Sequence, residues 1–574
     1  MAETLISPGV LARENDSSFV SRRPVTAGAA IIGPTVKGPV EIPTIVTTFS
    51  EYANTFGTTF DSGSATNSKT YTYFTSIAAY NYFVNGGTSL LVARVVSGSY
   101  TAASTLTGSG TAIKDSGSLN EVFTLETFSK GTIMNNTGSE SSGSLISGSK
   151  DNIRWQIVNT NSSSGTFDLL IRRGDDNTLT PTVLETFTML SLDPNSPNFI
   201  SRVIGDQVQN YNSTTIQIDT SGSYANRSNF IRVKNVAITT LNYFDNNGIA
   251  KNIYTASLPL VGSGSFGGAT GTVRGGAKFY NDISSTDTQG LVGANYDNMI
   301  NLLSNTDDFK FNVLLTPGLY DADYTAQVTS IITNTQNRGD NIYVVDPVAY
   351  GKVVSAVTAQ AATRNTSYAA EYWPWCQVID PSTGDLVWVP ASTVIGGVYA
   401  YNDSVAEPWF APAGINRGGL SQVVRVEQKL SASNRDTLYN GKINPIATFP
   451  GTGIVVYGQK TLQTRASALD RVNVRRLLIA LKSYISQVAL NLVFEQNTIA
   501  TRNQFLSQTN PYLTSVQQRQ GLYAFKVIMD ESNNTPDVID RNELMGKIFV
   551  QPTKTAEFIY LDFNITPTGA TFGA

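Results

Sequence analysis

The sequence carries a mixed α/β pattern that a long stretch of different composition divides in two. The strand-like run "LLVARVV" (90–96) precedes this stretch, and "FKFNVLL" (309–315) and "NIYVVD" (341–346) follow it, with helical spacing of apolar residues nearby. Strands that alternate with helices indicate a sheet with parallel members. Residues 101–275 are instead rich in Ser, Thr, Gly and Asn and contain runs such as "TFDLLIRR", which predicts an inserted β-rich domain. Such an insertion leaves its host fold intact if its two ends lie close together.

These patterns divide the chain into five segments. At 574 residues it is too long for a single core, so several domains are expected. We predict a multi-domain, mixed α/β (α+β) fold. Its segments are an extended N-terminal arm (1–24), the first part of an α/β core (25–100), the inserted β-rich domain (101–275), the second part of the core (276–460) and a C-terminal α+β domain (461–574).

The C-terminal segment begins with a strongly amphipathic helix and ends with a strand. Helical spacing over about 470–494 predicts one buried face, formed by Val474, Leu477, Leu481, Ile485, Val488 and Leu492. Two shorter helices are expected on either side of Pro511. The last strand, "AEFIYLDFNIT" (556–566), alternates as a half-buried strand does, yet only eight residues follow it. Its pairing partner is not evident from the local sequence.

Composition excludes several classes of function. The chain has no histidine, which removes the commonest general base and most zinc and iron sites, and one cysteine, Cys376, so no intrachain disulfide forms. The net charge of −4 argues against general nucleic-acid binding. No stretch approaches 18 uninterrupted apolar residues, so no membrane insertion is expected. Carboxylate or lysine chemistry remains possible, but the composition disfavours an enzyme, and we predict no enzyme activity, no cofactor and no metal site.

Four short motifs could carry chemistry, and each has a structural alternative that we favour. Gly262-x-Gly264-x-x-Gly267 matches a dinucleotide fingerprint by letter but lacks a following helix, so a loop is predicted. Arg173-Gly174-Asp175 lies between alternating runs and predicts a turn. "YWPWC" (372–376) is a stacking platform or, more in keeping with its composition, a packed core strand. Asp346 ends a predicted strand, and capping of the following turn is its expected role.

Basic residues cluster around the start of the long C-terminal helix. They lie against a single acid, Asp470, and comprise Lys460, Arg465, Arg471, Arg475, Arg476 and Lys482. One interpretation is a solvated helix surface with ion pairs inside the fold. The other is a docking face for an acidic partner. The sequence leaves both open.

Several stretches carry a family resemblance, taken in their order along the chain: "SPGVLARE", "YWPW", "VPAS", "GGVYAYND", "EPWFAPAG", "LYNGKINPIATFPGTGIVVYGQKTLQ", "VNVRRLLIALKSYI", "FEQN" and "PTKTAEFIYLDFNI". Together they resemble contractile tail sheath proteins of bacteriophages and related contractile injection systems. They cover the first hundred residues and most of 300–574. Tyr457 and Lys460 stand where the family often has Trp and Arg, and Ala391 replaces a common Pro.

The resemblance implies a structural subunit of a helical homo-oligomer. In this family both terminal arms leave their own subunit and add strands to sheets of neighbouring C-terminal domains, which would explain the strand at 556–566. The implied subunit-linking residues are Pro8, Gly9, Val10, Leu11, Phe558, Ile559, Tyr560, Leu561, Phe563 and Ile565. The basic helix provides candidates for contact with the inner tube, namely Arg471, Arg475, Arg476 and Lys482.

The implied partners and location follow from the same resemblance. The partners are further copies of the chain, the tail tube protein, and baseplate and tail terminator proteins, with no nucleic acid. The sheath would be assembled in the bacterial host cytoplasm, belong to the virion tail, and contract to drive the tube through the target envelope for genome ejection. Two rival functions remain: a β-rich adhesin or receptor-binding protein, and a carboxylate-based hydrolase, for which the sequence offers no evident acidic pair.

Overall fold

A computed structural model describes residues 25–62, 69–105, 112–136, 145–273, 280 and 283–557. In these ranges the strands are β1 Val25–Gly33, β2 Thr44–Val46, β3 Thr59–Ser62, β4 Lys69–Thr72, β5 Leu90–Arg94, β6 Ala102–Ser104, β7 Ile113–Lys114, β8 Glu121–Lys130, β9 Ile153–Asn161, β10 Thr166–Arg173, β11 Val183–Ser191, β12 Val208–Asn212, β13 Gln217–Ser221, β14 Ile231–Val236, β15 Gly262–Ser265, β16 Phe309–Tyr320, β17 Ile342–Asp346, β18 Ala369–Trp373, β19 Cys376–Ile379, β20 Leu386–Val389, β21 Val423–Val426, β22 Ile443–Phe449, β23 Gly453–Val456, β24 Leu522–Ile528 and β25 Lys547–Pro552.

The helices lie mainly in the two parts of the chain that flank the β-rich stretch. They are α1 Phe49–Phe56, α2 Phe74–Val84, α3 Ile200–Ile204, α4 Asn252–Thr255, α5 Asp297–Leu302, α6 Thr325–Arg338, α7 Val354–Ala362, α8 Ser392–Val405, α9 Gly414–Arg417, α10 Ala432–Asn440, α11 Val472–Leu490, α12 Ile499–Gln518 and α13 Pro536–Asp540. None of the helices in the described ranges is long and apolar enough to cross a membrane.

An eight-stranded sheet joins the two parts of the α/β pattern. Its order is β2-β5-β1-β16-β17-β18-β22-β23, so the three strands from before the β-rich stretch lie beside the five strands from after it, and β1 pairs with β16 where the two groups meet. The six central strands run parallel, and β2 and β23 pair antiparallel at the two edges. The central strands β5, β17 and β18 are buried along their whole length. This burial is typical of a parallel sheet with both faces covered, and it confirms the predicted α/β fold.

Residues between 103 and 269 form a second hydrophobic core, separate from that of the large sheet. It lies between the sheets β11-β10-β9-β15 and β14-β8-β6, and the rings of Phe123 and Phe167 stack within it at 5.7 Å between centroids. The two ends of this region lie side by side, because the Thr101 N–H donates to the Thr270 carbonyl at 3.1 Å and the Tyr100 hydroxyl to the Thr272 carbonyl at 2.8 Å.

Two local sequence expectations are wrong. The "GSGS" segment is not a loop but strand β15, which pairs with β9. A Cβ atom on Gly264 would lie 2.6 Å from the Trp155 ring, so the glycine permits the close approach of the two strands. Pro511 lies inside one continuous helix, α12, because buried Phe505 and Leu513 hold the helix on both sides of it.

The aromatic motif and the tripeptide behave as expected. Tyr372, Trp373, Trp375 and Cys376 are all buried, which confirms the packed core strand. Residues 174–175 form the turn that follows β10, as predicted for Arg173-Gly174-Asp175. The predicted apolar face of the long C-terminal helix is also confirmed, since Leu477, Leu481 and Val488 are buried.

Asp346 caps a helix that is distant in sequence rather than the following turn. Its carboxylate accepts a hydrogen bond from the Ser392 N–H at 2.9 Å and from the Ser392 hydroxyl at 2.6 Å, at the start of α8. Burial raises the pKa of the Asp346 carboxyl to about 7, and the hydrogen bonds from Ser392 and Gly318 oppose this rise. The group therefore joins the end of β17 to α8.

Candidate assembly interface

The C-terminal part of the chain contains a two-stranded sheet of β24 and β25. The strands pair antiparallel, with Phe525 opposite Val550 and Val527 opposite Ile548. These four side chains are partly buried against α11 and α12, through a cluster that includes Leu477, Leu481, Leu513 and Val516. One face of the sheet is thus anchored to the two long helices.

The other face and both outer edges of this sheet lack partners among the described residues. Phe549 is 56% exposed and Tyr523 is 62% exposed, which is unusual for large side chains on short strands. Each strand has one strand neighbour within the described ranges, so its outer edge pairs with no further strand there. A two-stranded sheet is marginally stable alone, and an open edge is a template for an added strand. The geometry can accept a strand at each edge.

The basic residues at the start of α11 join this helix to the α/β core. The Arg476 side chain is 3% exposed and forms an ion pair with Asp403 on α8, and its guanidinium lies 4.8 Å from the centroid of the Tyr399 ring. Arg475 is also buried, lies 3.9 Å from the centroid of the Tyr368 ring and donates to the Ser367 hydroxyl. Burial lowers the pKa of Arg475, and the Tyr368 side chain opposes this shift.

Most of the predicted basic residues on this helix do not form an exposed basic face on the isolated subunit. Arg475 and Arg476 point inward because their planar guanidinium groups stack on tyrosine rings and bind fixed acceptors. Arg471 is half-buried and paired with Glu557. Of the four tube candidates, Lys482 is exposed, and its amine lies 3.4 Å from the Tyr368 hydroxyl. The interpretation of ion pairs within the fold applies to the arginines, and tube contact stays a prediction.

The predicted arm residues lie outside the described residues. This applies to Pro8, Gly9, Val10 and Leu11 at one end and to Phe558, Ile559, Tyr560, Leu561, Phe563 and Ile565 at the other. Their pairing with a neighbouring subunit stays a prediction. The described chain ends at Glu557, directly before the second group.

Within the described ranges no group of three or more Cys, Asp or Glu side chains is arranged to hold a metal ion. The most buried acids are embedded in the core sheet rather than in a cleft. Glu371 on β18 is fully buried, and burial, together with the nearby Asp321 charge, raises its pKa well above the ordinary value. Glu371 is thus part of the packed core and does not lie in an open cleft.

Two sequence profiles cover the second half of the chain. The profile described as "Phage tail sheath protein central domain" matches residues 293–462. The profile described as "Phage tail sheath C-terminal domain" matches residues 464–566. The two matches are consecutive and in order. Over residues 293–566 the chain is thus similar to two domains of phage tail sheath proteins.

Curated members of the sheath family share extended segments with this chain. The tail sheath protein of Vibrio phage KVP40 is 47% identical over 185 residues, which is 32% of this chain and 28% of that protein. The tail sheath protein of Salmonella phage ViI is 31% identical over 286 residues, which is 46% of this chain and 45% of that protein. The matched segments thus span less than half the length of these relatives.

One solved structure has a fold similar to that of this chain. A sheath tail protein from Listeria innocua superimposes with a TM-score of 0.52 at 10% sequence identity, covering 92% of this chain and 95% of that chain. This similarity concerns the fold. It extends over both parts of the eight-stranded sheet and the C-terminal segment, as the coverage requires.

Sequence reasoning missed one polar cluster, which surrounds the Glu557 carboxylate. Glu557 belongs to the alternating run 556–566 and was assigned no role, yet its carboxylate binds Arg471, Tyr439 and Gln459. These residues come from three separate parts of the chain. The available signal was the basic residue Arg471 together with an acid at the start of the last predicted strand, but neither position indicates the other.

Proposed function

We propose that this chain is a structural, non-catalytic subunit of a contractile tail sheath. Many copies polymerise helically around a tail tube, with baseplate and tail terminator proteins at the ends, and form part of the virion tail. On triggering, the sheath shortens and drives the tube through the target envelope for genome ejection. Residues 1–24 and 556–574 act as linking arms, and residues 101–275 form the variable outer domain.

The observation that carries this proposal is the combination of the two consecutive family matches with an open two-stranded sheet. Sheath-type C-terminal sequence extends to residue 566, while β24 and β25 leave two edges unpaired among the described residues. Arms from two neighbouring copies would complete this sheet through main-chain hydrogen bonds. The links would persist while the globular faces repack, as in a rigid-body transition between two packings. No nucleotide or metal is required, because free energy is stored in the assembled state.

Disruption of the last strand is expected to abolish polymerisation without unfolding the subunit. Leu561→Pro removes a backbone donor in the middle of the predicted arm strand, where an added strand must bond to its neighbour. We expect the purified variant to remain monomeric where the unaltered chain forms long hollow tubes, as viewed by negative-stain electron microscopy. Circular dichroism of both proteins should be the same.

The matched control for this experiment is Ala570→Pro, which lies beyond the predicted strand. It should form tubes as the unaltered chain does. Tubes of normal length from Leu561→Pro would refute the linking arm. A discrete trimer from the unaltered chain, with saturable glycan binding, would instead support an adhesin.

Charge reversal at Lys482 tests the proposed contact with the tube. Lys482→Glu replaces an exposed cation on the outer half of α11, so the attraction to an acidic tube surface becomes repulsion. We expect co-assembly with the tube protein to fall roughly tenfold at low salt, and the difference to shrink near 0.5 M salt, where such contacts are screened. Sedimentation of sheath with preformed tubes measures this.

Lys352→Glu serves as the control, because it changes the net charge equally at an exposed position on the α/β core. It should co-sediment with the tube as the unaltered chain does. Equal co-sedimentation of both variants at every salt concentration would exclude the Lys482 side of α11 as the tube contact.

A further inference from the structure

The Glu557 carboxylate is held by three side chains at the point where the predicted C-terminal arm begins. Arg471 Nε donates to Glu557 Oε1 at 2.7 Å, and Arg471 Nη2 donates to Oε2 at 3.0 Å. The Tyr439 hydroxyl donates to Oε2 at 2.5 Å, and Gln459 Nε2 donates to Oε1 at 3.0 Å. We call these four residues the Glu557 clamp. Each carboxylate oxygen of Glu557 therefore accepts two hydrogen bonds from these side chains.

The clamp is a strong contact for a surface-proximal group. The Glu557 and Arg471 side chains are 19% and 24% exposed, and their two parallel bonds form the bidentate geometry that strengthens an arginine–carboxylate pair. Burial tends to raise the pKa of Glu557, but the bonds from Arg471, Tyr439 and Gln459 outweigh it and lower the pKa below its ordinary value. The carboxylate is ionised at neutral pH, as the clamp requires.

The clamp residues come from rigid elements on both sides of the joint between the core and the C-terminal helices. Tyr439 belongs to α10, Gln459 follows β23, and Arg471 immediately precedes α11. Lys460 extends over the Tyr439 ring, with its amine 4.3 Å from the centroid, and supports the ring from its other side. A carboxylate bound here is fixed to the core sheet and to the helix that carries the open two-stranded sheet.

The segment that leads from β25 to the clamp is also held in place. The Thr553 hydroxyl donates to the Gln520 carbonyl at 2.7 Å, and Gln459 Nε2 donates to the Thr555 hydroxyl oxygen at 2.6 Å. This segment lines a cleft of about 810 Å³ together with Trp409, Tyr457 and Tyr523. The chain is thus bound to its own subunit from the end of β25 up to residue 557.

We propose that the Glu557 clamp fixes the base of the C-terminal arm and sets the point from which the arm reaches an adjacent copy of the chain. The inference rests on the proposed sheath function. An arm with a fixed base has fewer conformations to lose when it pairs, so the effective concentration at the neighbouring sheet rises. The clamp also transmits tension on the arm directly to the core sheet, so that β25 does not bear the tension alone.

Polymerisation of clamp variants tests this role. Glu557→Gln keeps the shape of the side chain but removes its charge, and Arg471→Gln removes the bidentate donor. We expect each variant to raise the critical subunit concentration for tube formation about tenfold, which corresponds to about 1.4 kcal/mol. Because both act on one contact, the double variant should raise it little further. Light scattering of a subunit dilution series measures the critical concentration.

The control is Glu543→Gln, which breaks an exposed ion pair with Arg541 (3.2 Å) near β25 without touching the clamp. It should polymerise as the unaltered chain does. The urea midpoint of the monomer should be the same in all variants. Complete loss of tubes in a clamp variant whose urea midpoint is unchanged would also support the proposal.

Three results would overturn the inference. One is a normal critical concentration for Glu557→Gln and Arg471→Gln. Another is a higher critical concentration accompanied by a lower urea midpoint of the monomer, because the clamp would then contribute only to the stability of the subunit. The third is an equal rise for Glu543→Gln. Failure of the unaltered chain to form tubes would instead refute the proposed function itself.

Discussion

Arg476→Glu is expected to destabilise the subunit by about 4 kcal/mol, because it leaves a buried charge facing one of its own sign. The native guanidinium is 3% exposed and binds Asp403, and it packs on the ring of Tyr399. The variant places a second carboxylate against Asp403 and removes the stacking contact. The midpoint of urea unfolding, followed by circular dichroism, should fall accordingly, and the transition for α11 and α12 should precede that of the core sheet.

Lys482→Glu provides the matched comparison on the same helix. Its side chain is exposed, so the change in the free energy of unfolding should stay within about 0.5 kcal/mol. Arg476→Lys keeps the charge but loses the planar fork, and should fall between the two. If the urea midpoint of Arg476→Glu equals that of Lys482→Glu, Arg476 does not join α11 to the core.

Asp346→Asn should remove a large part of the pH dependence of stability. The folded-state pKa of this carboxyl is about 7, raised chiefly by burial, whereas an unfolded aspartate titrates near 4. A raised folded-state pKa means that the native state holds the proton more tightly. Its contribution is therefore fully present below about pH 4, falls as the pH rises toward 7, and is lost above 7.

The asparagine keeps an acceptor for the Ser392 N–H and an amide for the Ser392 hydroxyl, so the helix cap is preserved without a titrating group. Between pH 5 and pH 8 the variant should gain about 3 kcal/mol relative to the unaltered chain, because about two pH units separate pH 5 from the folded-state pKa of about 7. Urea unfolding across this pH range measures the difference. Parallel stability curves for the two proteins would show that Asp346 is ionised in the folded state at pH 5.

Periodicity in the sequence was sufficient to predict the main elements of the fold. The apolar run of β17 predicts a strand buried along its whole length, and the helical spacing in α11 predicts a helix with one buried face. The structure has both features. Local rules failed where tertiary contacts outweigh them. Pro511 does not end α12, because packing on both sides of it maintains the helix, and the glycines of β15 serve a close strand approach rather than a loop.

The side-chain pairs of the candidate interface could not be predicted in the same way. Asp346 and Ser392 are 46 residues apart, Arg476 and Asp403 are 73 apart, and Arg471 and Glu557 are 86 apart. No periodic pattern connects positions at such separations. The cluster of basic residues was visible in the sequence, but whether each guanidinium faces water or the core depends on where Tyr368 and Tyr399 lie after folding.

The hydrogen bonds between Thr101 and Thr270 and between Tyr100 and Thr272 bring the two ends of the β-rich region to one spot beside the large sheet. A module that enters and leaves through so narrow a junction can be exchanged during evolution for another of different size or sequence. Such an exchange would leave the order and the pairing of the eight-stranded sheet unchanged.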